Sequence, residues 1–454
     1  MVVGEVSTFT QVLVIGGGPG GYATAERAAR MGRSVVLVER EHLGGVCLNA
    51  GCIPSKALIQ VANAVAFPEA AAAWGVEADA RADMERVQAW MSSVVGRLRA
   101  DVEGLVRRAG VSVVRGTARF STARRVVVAT AGSSQHIEFD HAVVATGSRP
   151  MTLRSLAVDH VRILDSTDAL ALRTIPRCVA VIGGGYIGLE LGCALQKLGS
   201  AVTVVEIAGR LLPAMHPALG GALQQRLSVR GIDVLLETAA LDDDGTALCV
   251  RGPAGERRLA VDAVIVAVGR RPNTDDLGLD RAGVACDAAG RIAVDPSRRA
   301  TRTVLAVGDV TDGPGLAHKA TAEAEVAAAT AAGRRAEFAP ACIPEVVFTD
   351  PEVASAGLTP DQAREAGAEA VTRRLPLTAS ARALLHGDGG GFVELVAEPG
   401  GALLGAHIVG PDAAELIAEA ALAIELGATL DDLALTIHPH PTLSESLALA
   451  AAMS

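Results

Sequence analysis

The chain contains the same short unit twice, and this repetition limits it to few folds. Residues 11–18 (QVLVIGGG) and residues 178–185 (CVAVIGGG) are apolar runs that end in glycine, which is typical of buried strands in a parallel sheet. Each run is followed by an alanine- and leucine-rich stretch of helical character and then by a second strand, at residues 34–38 and 201–205. The order of strand, turn, helix and strand predicts two α/β units.

Both turns carry the pattern G-x-G-x-x-G. In such a turn the first glycine allows a sharp bend, the second lets a pyrophosphate approach backbone N–H groups, and the third lets the helix pack close to the strand. The positive end of the helix dipole then faces the phosphates. The glycines are Gly16, Gly18 and Gly21 in the first unit, and Gly183, Gly185 and Gly188 in the second.

An acidic residue follows each second strand, 23 residues after the first glycine of its unit. At these positions the carboxylates of Glu39 and Glu206 can accept hydrogen bonds from ribose hydroxyls. A lone glycine motif is a weak signal, but two copies with strand–helix context and acidic partners predict two Rossmann-like dinucleotide sites.

Because a carboxylate repels a 2′-phosphate, Glu206 favours NAD over NADP. Two sites in one chain indicate electron transfer between two bound cofactors. A flavin and a nicotinamide are expected, and the assignment of the flavin depends on the remaining motifs.

Composition excludes several other classes of protein. The 454 residues suggest roughly three domains. A net charge of −10 and an aromatic content of 2% argue against a nucleic-acid surface. No uninterrupted apolar run of about 18 residues appears, so we expect no membrane span. The first eight residues lack the pattern of a secretory signal. The seven cysteines are odd in number and scattered along the chain. We therefore expect a cytoplasmic chain that is not stabilised by a set of structural disulfides. No metal site is expected.

The last quarter of the chain has a different pattern. From about Ile343 the apolar residues alternate more, as in residues 391–397 and 403–409, which predicts an antiparallel sheet. A helix is expected at roughly residues 413–426. The predicted domains are residues 1–150 and 151–275, which contain the first and the second dinucleotide unit, residues 276–341, a central segment, and residues 342–454, which contain the antiparallel sheet.

Two cysteines stand apart from the other five, which we expect to be structural, most of them as small core residues. Cys47 and Cys52 are five positions apart, directly after the first dinucleotide unit. In an ideal helix this spacing gives a rise of about 7.5 Å and a rotation of about 140°, so a bridge requires a distorted turn, for which Gly51 and Pro54 are suited. Two unrelated buried thiols would show the same spacing. The position after the first unit favours a redox role.

Residues 44–56 (GGVCLNAGCIPSK) closely resemble the active-site segment of the class I flavoprotein disulfide reductases, and in particular of the dihydrolipoamide dehydrogenase family. The resemblance extends from Val12 to about Met453. It includes four further motifs, at residues 145–150 (ATGSRP), 266–270 (VAVGR), 306–319 (AVGDV with LAHK) and 438–445 (HPHPTLSE).

This resemblance implies roles for individual residues. Cys52 is the thiol nearest the flavin, and Cys47 exchanges with substrate. FAD occupies the first unit with Glu39 at its adenosine ribose, and NAD occupies the second. The resemblance thus makes residues 1–150 the FAD-binding domain, 151–275 the NAD-binding domain, 276–341 the segment that completes the FAD site and 342–454 the interface domain. Lys56 lies near the isoalloxazine with Glu190 as its partner. The remaining residues expected at the cofactors are Ala118, Thr146, Gly147, Gly269, Asp309 and Ala317.

The resemblance also makes His440 the acid–base, oriented by Glu445. Thiol–disulfide exchange needs a thiolate and a proton acceptor, and a histidine with a carboxylate partner serves near neutral pH. A separation of five residues does not suit an i, i+4 helical pair, but Pro441 fits a turn that joins the two side chains. We interpret His438 as a packing or surface residue. In the family the last domain forms a two-fold dimer in which His440 completes the partner's site, so an obligate homodimer is predicted.

Three features differ from the family pattern. Phe348 stands where a tyrosine is usual, residues 379–383 (ASARA) replace a commoner Gly-Arg-Ala pattern, and the sequence ends soon after the last predicted helix. We expect none of these differences to affect the proposed chemistry.

The substrate is inferred by comparison within the family. A mercuric-ion reductase would carry a cysteine pair near its C-terminus, and Glu206 together with residues 442–445 argues against a glutathione reductase. The resemblance therefore implies reoxidation of protein-bound dihydrolipoyl groups, carried by the acyltransferase of a 2-oxo acid dehydrogenase complex or by a glycine-cleavage carrier protein. Two alternatives stay open: an NADH-dependent reductase of another low-molecular-weight disulfide, and a non-catalytic flavin-binding assembly subunit.

Overall fold

A computed structural model describes residues 7–387 and 390–453. The interpretation of the first eight residues therefore falls mostly outside the described part of the chain. The described residues divide into two compact units. Within the described ranges, the first holds residues up to Pro54 together with Gln88–Met151 and Arg270–Ala339, and the second holds Ser55–Val87, Thr152–Gly269 and the residues from Pro340 onward. The division into four consecutive domains stays a prediction.

The elements follow in chain order. Up to residue 150 they are β1 (Ser7–Ile15), α1 (Pro19–Arg30), β2 (Val35–Glu39), α2 (Gly45–Ala50), α3 (Cys52–Ala72), α4 (Met84–Arg108), β3 (Ser112–Arg115), β4 (Thr117–Thr122), β5 (Arg125–Thr130), β6 (Ser133–Val144) and β7 (Ser148–Pro150). The middle of the chain contains β8 (Ile163–Leu164), α5 (Ser166–Leu170), β9 (Cys178–Ile182), α6 (Tyr186–Lys197), β10 (Ala201–Val205), α7 (Pro217–Val229), β11 (Asp233–Leu235), β12 (Ala239–Asp243), β13 (Ala247–Gly252), β14 (Gly255–Ala260), β15 (Ala263–Val266) and β16 (Arg270–Pro272).

The rest of the chain contains β17 (Val304–Ala306), α8 (Ala317–Ala331), β18 (Glu345–Val347), β19 (Glu352–Gly357), α9 (Pro360–Glu365), β20 (Val371–Pro376), α10 (Ala381–Leu385), β21 (Phe392–Ala397), β22 (Leu403–Gly410), α11 (Ala413–Glu425), α12 (Leu430–Leu435) and α13 (Glu445–Ala451). Short 3₁₀ turns lie at Leu279–Ala282, Gly308–Val310 and Leu377–Ala379.

The first unit is built on a mixed sheet with the order β3-β2-β1-β6-β5-β4, in which β17 also pairs with β6. Strands β3, β2, β1 and β6 are parallel, and Leu13 at the centre pairs with Val36 on one side and Ala142 on the other. Successive residues of β1 enter different hydrophobic clusters, since Leu13 and Val14 face opposite sides of the sheet. This two-sided burial explains why residues 12–15 of β1 form an unbroken apolar run.

The second unit repeats the arrangement with a five-stranded parallel sheet, in the order β11-β10-β9-β15-β8. Its central residue Val181 pairs with Val204 and Ile265. A separate antiparallel sheet of β12, β13 and β14 belongs to the same unit. Both predicted strand–helix–strand units are therefore present.

The end of the chain forms an antiparallel sheet with the order β18-β19-β22-β21-β20. Helix α11 packs against it through buried residues that include Leu416, Ile417 and Ala420, and this cluster also takes in Leu447 of α13. The predicted α/β class, with a C-terminal α+β domain, is confirmed.

One stretch, Gly45–Ala72, has the length and composition of a membrane-spanning helix, with a mean hydropathy of 1.2. A single stretch of this kind is weak evidence, because a core helix of a soluble protein passes the same test. It comprises α2 and α3, which are separated at Gly51, and it contains Lys56. The absence of a membrane span stays a prediction.

Candidate active site

The first glycine-rich turn connects β1 to α1. Gly16 has a φ of 101°, and a Cβ there would overlap the carbonyl oxygen of Ala145, while a Cβ on Gly21 would overlap the carbonyl oxygen of Gly16. At Gly18 the nearest atom to such a Cβ is 3.9 Å away. The outer two glycines are thus required by close packing, whereas the middle one leaves open space at the N-terminus of α1. A pyrophosphate fits this arrangement.

The second turn, between β9 and α6, has the same construction. Gly183 has a φ of 112°, and side chains at Gly183 and Gly188 would overlap backbone oxygens. At Gly185 nothing lies within 4 Å of the missing Cβ. The two turns therefore offer the same kind of opening for a dinucleotide.

The acidic residues occupy matching places beside the turns. Glu39 Oε2 accepts a hydrogen bond from the Gly17 N–H at 2.6 Å. Glu206 Oε2 likewise accepts from the Gly184 N–H at 2.5 Å, and both carboxylates are buried. Each is fixed at the end of its strand, and a carboxylate has further lone pairs for a ribose hydroxyl.

A returning segment of the first unit presents Asp309 in the 3₁₀ turn Gly308–Val310, followed by Ala317 at the start of α8. The Ser148 hydroxyl donates to Asp309 Oδ2. Arg270 in turn donates from Nε to Ser148 Oγ and from Nη2 to the Ser148 carbonyl oxygen, both at 2.7 Å. Ser148 and Arg270 lie inside motifs quoted above, but the sequence does not reveal that they hold Asp309.

Behind this turn lies a buried charge cluster. Glu323 is fully buried, and its carboxylate accepts from the Gly308 N–H at 2.6 Å. It is ion-paired with Lys319 at 3.0 Å and with Arg298 at 2.8 Å. The cluster holds the peptide that precedes Asp309 in place. Sequence reasoning missed it, although a carboxylate in an otherwise alanine-rich helix is a usable signal.

Thr146 and Gly147 follow β6 and are tied to Asn273. Thr146 Oγ1 donates to the Asn273 carbonyl oxygen at 2.7 Å, and the Asn273 N–H donates to the Gly147 carbonyl oxygen at 2.8 Å. Ala118 lies in β4, buried in the hydrophobic cluster of the first sheet. Gly269 is exposed between β15 and β16, with a φ of 123°.

The cysteine segment is a helix interrupted at one residue. Cys47 lies in α2, Gly51 interrupts the helix, and Cys52 begins α3. Cys47 is half-buried and Cys52 is exposed. Burial raises the pKa of Tyr22, and the charge of the nearby Cys47 raises it further. The expected distorted turn is present between the two thiols.

A side chain not singled out from the sequence holds this turn. The Asn49 amide donates to the carbonyl oxygens of Leu43 and Gly45 at 3.0 and 2.9 Å. Arg99 of α4 donates to Asn49 Oδ1 at 2.8 Å. The backbone around Cys47 is therefore fixed from two sides.

The other five cysteines are less uniform than expected. Cys193 is buried, and burial raises its pKa to about 12. Cys286 is exposed, and the remaining three, Cys178, Cys249 and Cys342, are half-buried. The expectation that most of these thiols are core residues is therefore wrong, since small side chains are also accepted at strand edges and turns.

In the second unit, Lys56 of α3 meets Glu190 of α6. Lys56 Nζ lies 3.0 and 2.8 Å from the two carboxylate oxygens of Glu190, which is buried. Phe348 contributes twice, because its N–H donates to Glu190 Oε1 at 3.1 Å and its ring centroid lies 4.4 Å from Lys56 Nζ. The expectation that the replacement of tyrosine by Phe348 leaves the proposed chemistry unchanged stays a prediction. The ring packs on a proposed site residue.

The C-terminal part of the second unit brings His440 and Glu445 together. His440 Nδ1 lies 2.9 Å from Glu445 Oε1, and Glu445 Oε2 accepts from the Thr442 N–H at 2.7 Å. These two interactions, with the Thr442 hydrogen bond the larger, lower the pKa of Glu445. The carboxylate is thus kept ionised, and the imidazole, whose side chain is 77% exposed, can exchange protons with a substrate.

The chain matches two protein-family models, pyridine nucleotide-disulphide oxidoreductase over residues 10–324 and the dimerisation domain of the same family over residues 343–451. It is 43% identical to dihydrolipoyl dehydrogenase of Geobacillus stearothermophilus, over 98% of this chain and 96% of that protein. It is 46% identical to dihydrolipoyl dehydrogenase 2 of Haloarcula marismortui, over 100% and 98%.

Among solved structures, LpdA of Mycobacterium tuberculosis is similar, with a TM-score of 0.89 and 29% identity, over 97% of this chain and 99% of that one. The dimerisation-domain match supports a homodimer. Two glycine-rich turns, a cysteine pair at a helix interruption and full-length relatives all agree. The chain belongs to the pyridine nucleotide-disulphide oxidoreductase family.

Proposed function

We propose that this protein is a dihydrolipoyl dehydrogenase, which reoxidises dihydrolipoyl groups with NAD⁺ through Cys47, Cys52 and FAD. The observation that carries the proposal is the pair of cysteines on either side of Gly51, directly after the first dinucleotide unit. The relatives that carry this activity in their names match over the full chain.

The residues of the first unit fit FAD. The open space at Gly18 suits its pyrophosphate, Glu39 suits its adenosine ribose, and Asp309 is held by Ser148 where a polar contact is needed. When bound, FAD supplies a two-electron carrier between a dithiol and a nicotinamide. In the second unit Gly185 and Glu206 suit NAD in the same way.

The cysteines exchange electrons with the substrate by thiol–disulfide chemistry. A lipoyl thiolate attacks the Cys47 sulfur of the oxidised pair, which forms a mixed disulfide and releases the Cys52 thiolate. The second lipoyl thiolate then attacks the lipoyl sulfur of the mixed disulfide, which releases the Cys47 thiolate and closes the lipoyl disulfide. Two electrons remain on the cysteine pair, and two protons leave the substrate.

His440 accepts those protons. A neutral imidazole takes a proton from the attacking thiol, and Glu445 orients the ring through Nδ1 and stabilises the cation that forms. We propose that His440 of the partner subunit completes each site, so the homodimer has two active sites.

The lipoyl group is proposed to arrive on a separate protein, either the acyltransferase of a 2-oxo acid dehydrogenase complex or a glycine-cleavage carrier. A cytoplasmic location is proposed with it.

The test is turnover of lipoamide by the FAD-loaded protein. Cys47→Ser and Cys52→Ser should each abolish NAD⁺-dependent oxidation of dihydrolipoamide while FAD stays bound, and Cys286→Ser is the matched control with an exposed thiol. Retained turnover in either active-site variant contradicts the disulfide role. A panel of other disulfides with NADH separates lipoamide from a different low-molecular-weight substrate. A purified protein that is colourless and binds no flavin would contradict the proposed enzymatic function.

A further inference from the structure

His438 was interpreted from the sequence as a packing or surface residue, but the structure gives it two specific partners. Its side chain is 6% exposed. Nε2 lies 2.6 Å from Glu419 Oε1 of α11, and Nδ1 lies 2.9 Å from the Thr436 carbonyl oxygen. Both ring nitrogens therefore have hydrogen-bond partners. His438 lies two residues before His440.

The chemistry of these partners determines the charge of the ring. A carbonyl oxygen and an ionised carboxylate only accept hydrogen bonds, so both nitrogens of His438 must donate. Only the imidazolium form has two N–H donors. Although burial opposes the charge, the hydrogen bond to Glu419 raises the pKa of His438, with further help from the Thr436 carbonyl, Glu419 and Glu445. Those two carboxylates, on α11 and α13, are the charged groups that face the ring.

The contact between His438 and Glu419 also affects His440, because both histidines lie in the same segment. Residues 436–444, between α12 and α13, have no regular secondary structure. Their backbone is therefore oriented by side-chain contacts. The side-chain hydrogen bonds of this segment include the His438 bonds at one end. At the other end, the Thr442 N–H donates to Glu445 and the Thr442 hydroxyl donates to the Pro439 carbonyl oxygen, both at 2.7 Å. His440 lies between these two anchors.

We propose that His438, paired with Glu419, is a positioning residue that holds the segment carrying His440 against Glu445. The proposal rests on the proposed role of His440 as the acid–base. It assigns a task to a residue that does not itself meet the substrate.

The kinetic test compares the two half-reactions in the FAD-loaded dimer. His438→Gln and Glu419→Ala should each lower kcat for dihydrolipoamide by about ten- to a hundredfold, with the KM for NAD⁺ and the rate of flavin reduction by NADH unchanged. The double variant should be no worse than the worse single variant, because both remove one interaction. His386→Gln, an exposed histidine of the same unit, is the control. Unchanged lipoamide turnover, or an equal loss in both half-reactions, overturns the proposal.

A second measurement does not depend on the substrate. Nitrogen-15 spectra of the histidine rings, with His438 assigned from the His438→Gln variant, should show both of its ring nitrogens protonated near neutral pH, and Glu419→Ala should remove that signature. The His440 signals should shift in His438→Gln and stay in place in His386→Gln. A neutral His438 ring, or unmoved His440 signals, overturns the proposal. If the wild-type protein does not oxidise dihydrolipoamide, the proposed function fails while these spectra still decide the role of His438.

Discussion

At the scale of single residues, Phe348 shows how a distant residue reaches a proposed site through direct contacts. Its ring lies over the Lys56 ammonium, and its backbone donates to the carboxylate that pairs with Lys56. A tyrosine would keep the ring face. An aliphatic side chain would keep the backbone bond and lose the cation–π interaction.

We therefore expect Phe348→Leu to lower the free energy of unfolding by about 1 kcal/mol, since cation–π contacts near a surface contribute roughly 0.5–1 kcal/mol. Phe348→Tyr should stay close to wild type. Urea denaturation of both variants measures the difference. If Lys56 lies beside the flavin as proposed, only Phe348→Leu should also change the absorbance spectrum of the bound FAD. Equal stability of the two variants contradicts the importance of the ring.

His407 predicts a pH dependence of stability. Its ring is fully buried in β22, between the Ser355 hydroxyl and the Leu358 carbonyl oxygen. Burial, and then the charges of His216 and Arg374, lower its pKa from 6.5 to about 4. Because the folded state binds the proton less readily, stability is complete above the unfolded pKa and is lost as the pH falls towards the folded one.

This loss should amount to something on the order of 3 kcal/mol for the single group. Denaturation at a series of pH values below neutrality measures it. His407→Gln, whose amide can keep both hydrogen bonds, should flatten the curve over that range. A variant with the same pH slope as wild type would show that other groups cause the acid sensitivity.

Residues near each other in sequence were paired correctly from the sequence alone. His440 and Glu445 were expected to meet, and their atoms lie 2.9 Å apart. The family resemblance also implied that Lys56 pairs with Glu190, and it does. The contacts of His438 with Glu419 and of Lys56 with Phe348 were not expected, because Glu419 and Phe348 approach from other elements. Nothing in a local motif encodes those contacts.

At the scale of elements, the two glycine-rich turns separate packing from binding. Each has outer glycines that close packing requires and a middle glycine that faces open space. In the second turn, alanine substitutions at Gly185 and at Gly188 test the binding role and the packing role separately.

Gly185→Ala should leave the fold and its stability nearly unchanged and raise the KM for NAD⁺, since its Cβ would enter only the space meant for the pyrophosphate. Gly188→Ala should cost at least about 1–3 kcal/mol of stability, because its Cβ would overlap the Gly183 carbonyl oxygen. Thermal unfolding and NAD⁺ titration of both variants make the comparison. A stable Gly188→Ala protein, or unchanged NAD⁺ binding in Gly185→Ala, contradicts this assignment.

Periodicity was sufficient to place the two strand–helix–strand units and the C-terminal antiparallel sheet with its helix, since two-sided burial and alternation leave different residue patterns. It did not reveal the ion cluster at Glu323. Lysine, arginine and glutamate usually mark a solvated surface, and only the packing of α8 against the Gly308 turn makes them buried partners.

At the scale of the whole molecule, the C-terminal domain exposes large apolar side chains beside His440. Leu435 is 82% exposed and Ile437 is 96% exposed. A homodimer would account for this exposure, because a partner subunit that covers these residues removes them from water. If the partner also receives His440, a monomer has the cysteine pair without its base.

We expect Ile437→Asp to give a monomer that no longer oxidises dihydrolipoamide, while NADH still reduces its flavin. Val229→Asp, at an equally exposed apolar position of the same unit, should remain dimeric and active. Analytical ultracentrifugation together with the two half-reactions tests this. A monomer with full lipoamide turnover contradicts the shared site.

The sequence by itself determined the fold class, the two dinucleotide turns, the cysteine segment and the His440–Glu445 pair. These features are local, because a few consecutive residues set the backbone path that each of them needs. Only the tertiary structure decided that Phe348 covers Lys56, that Glu419 holds His438 and that Glu323 supports the Asp309 turn. Those contacts join residues between 15 and nearly 300 positions apart, and their distances depend on how whole elements pack against one another.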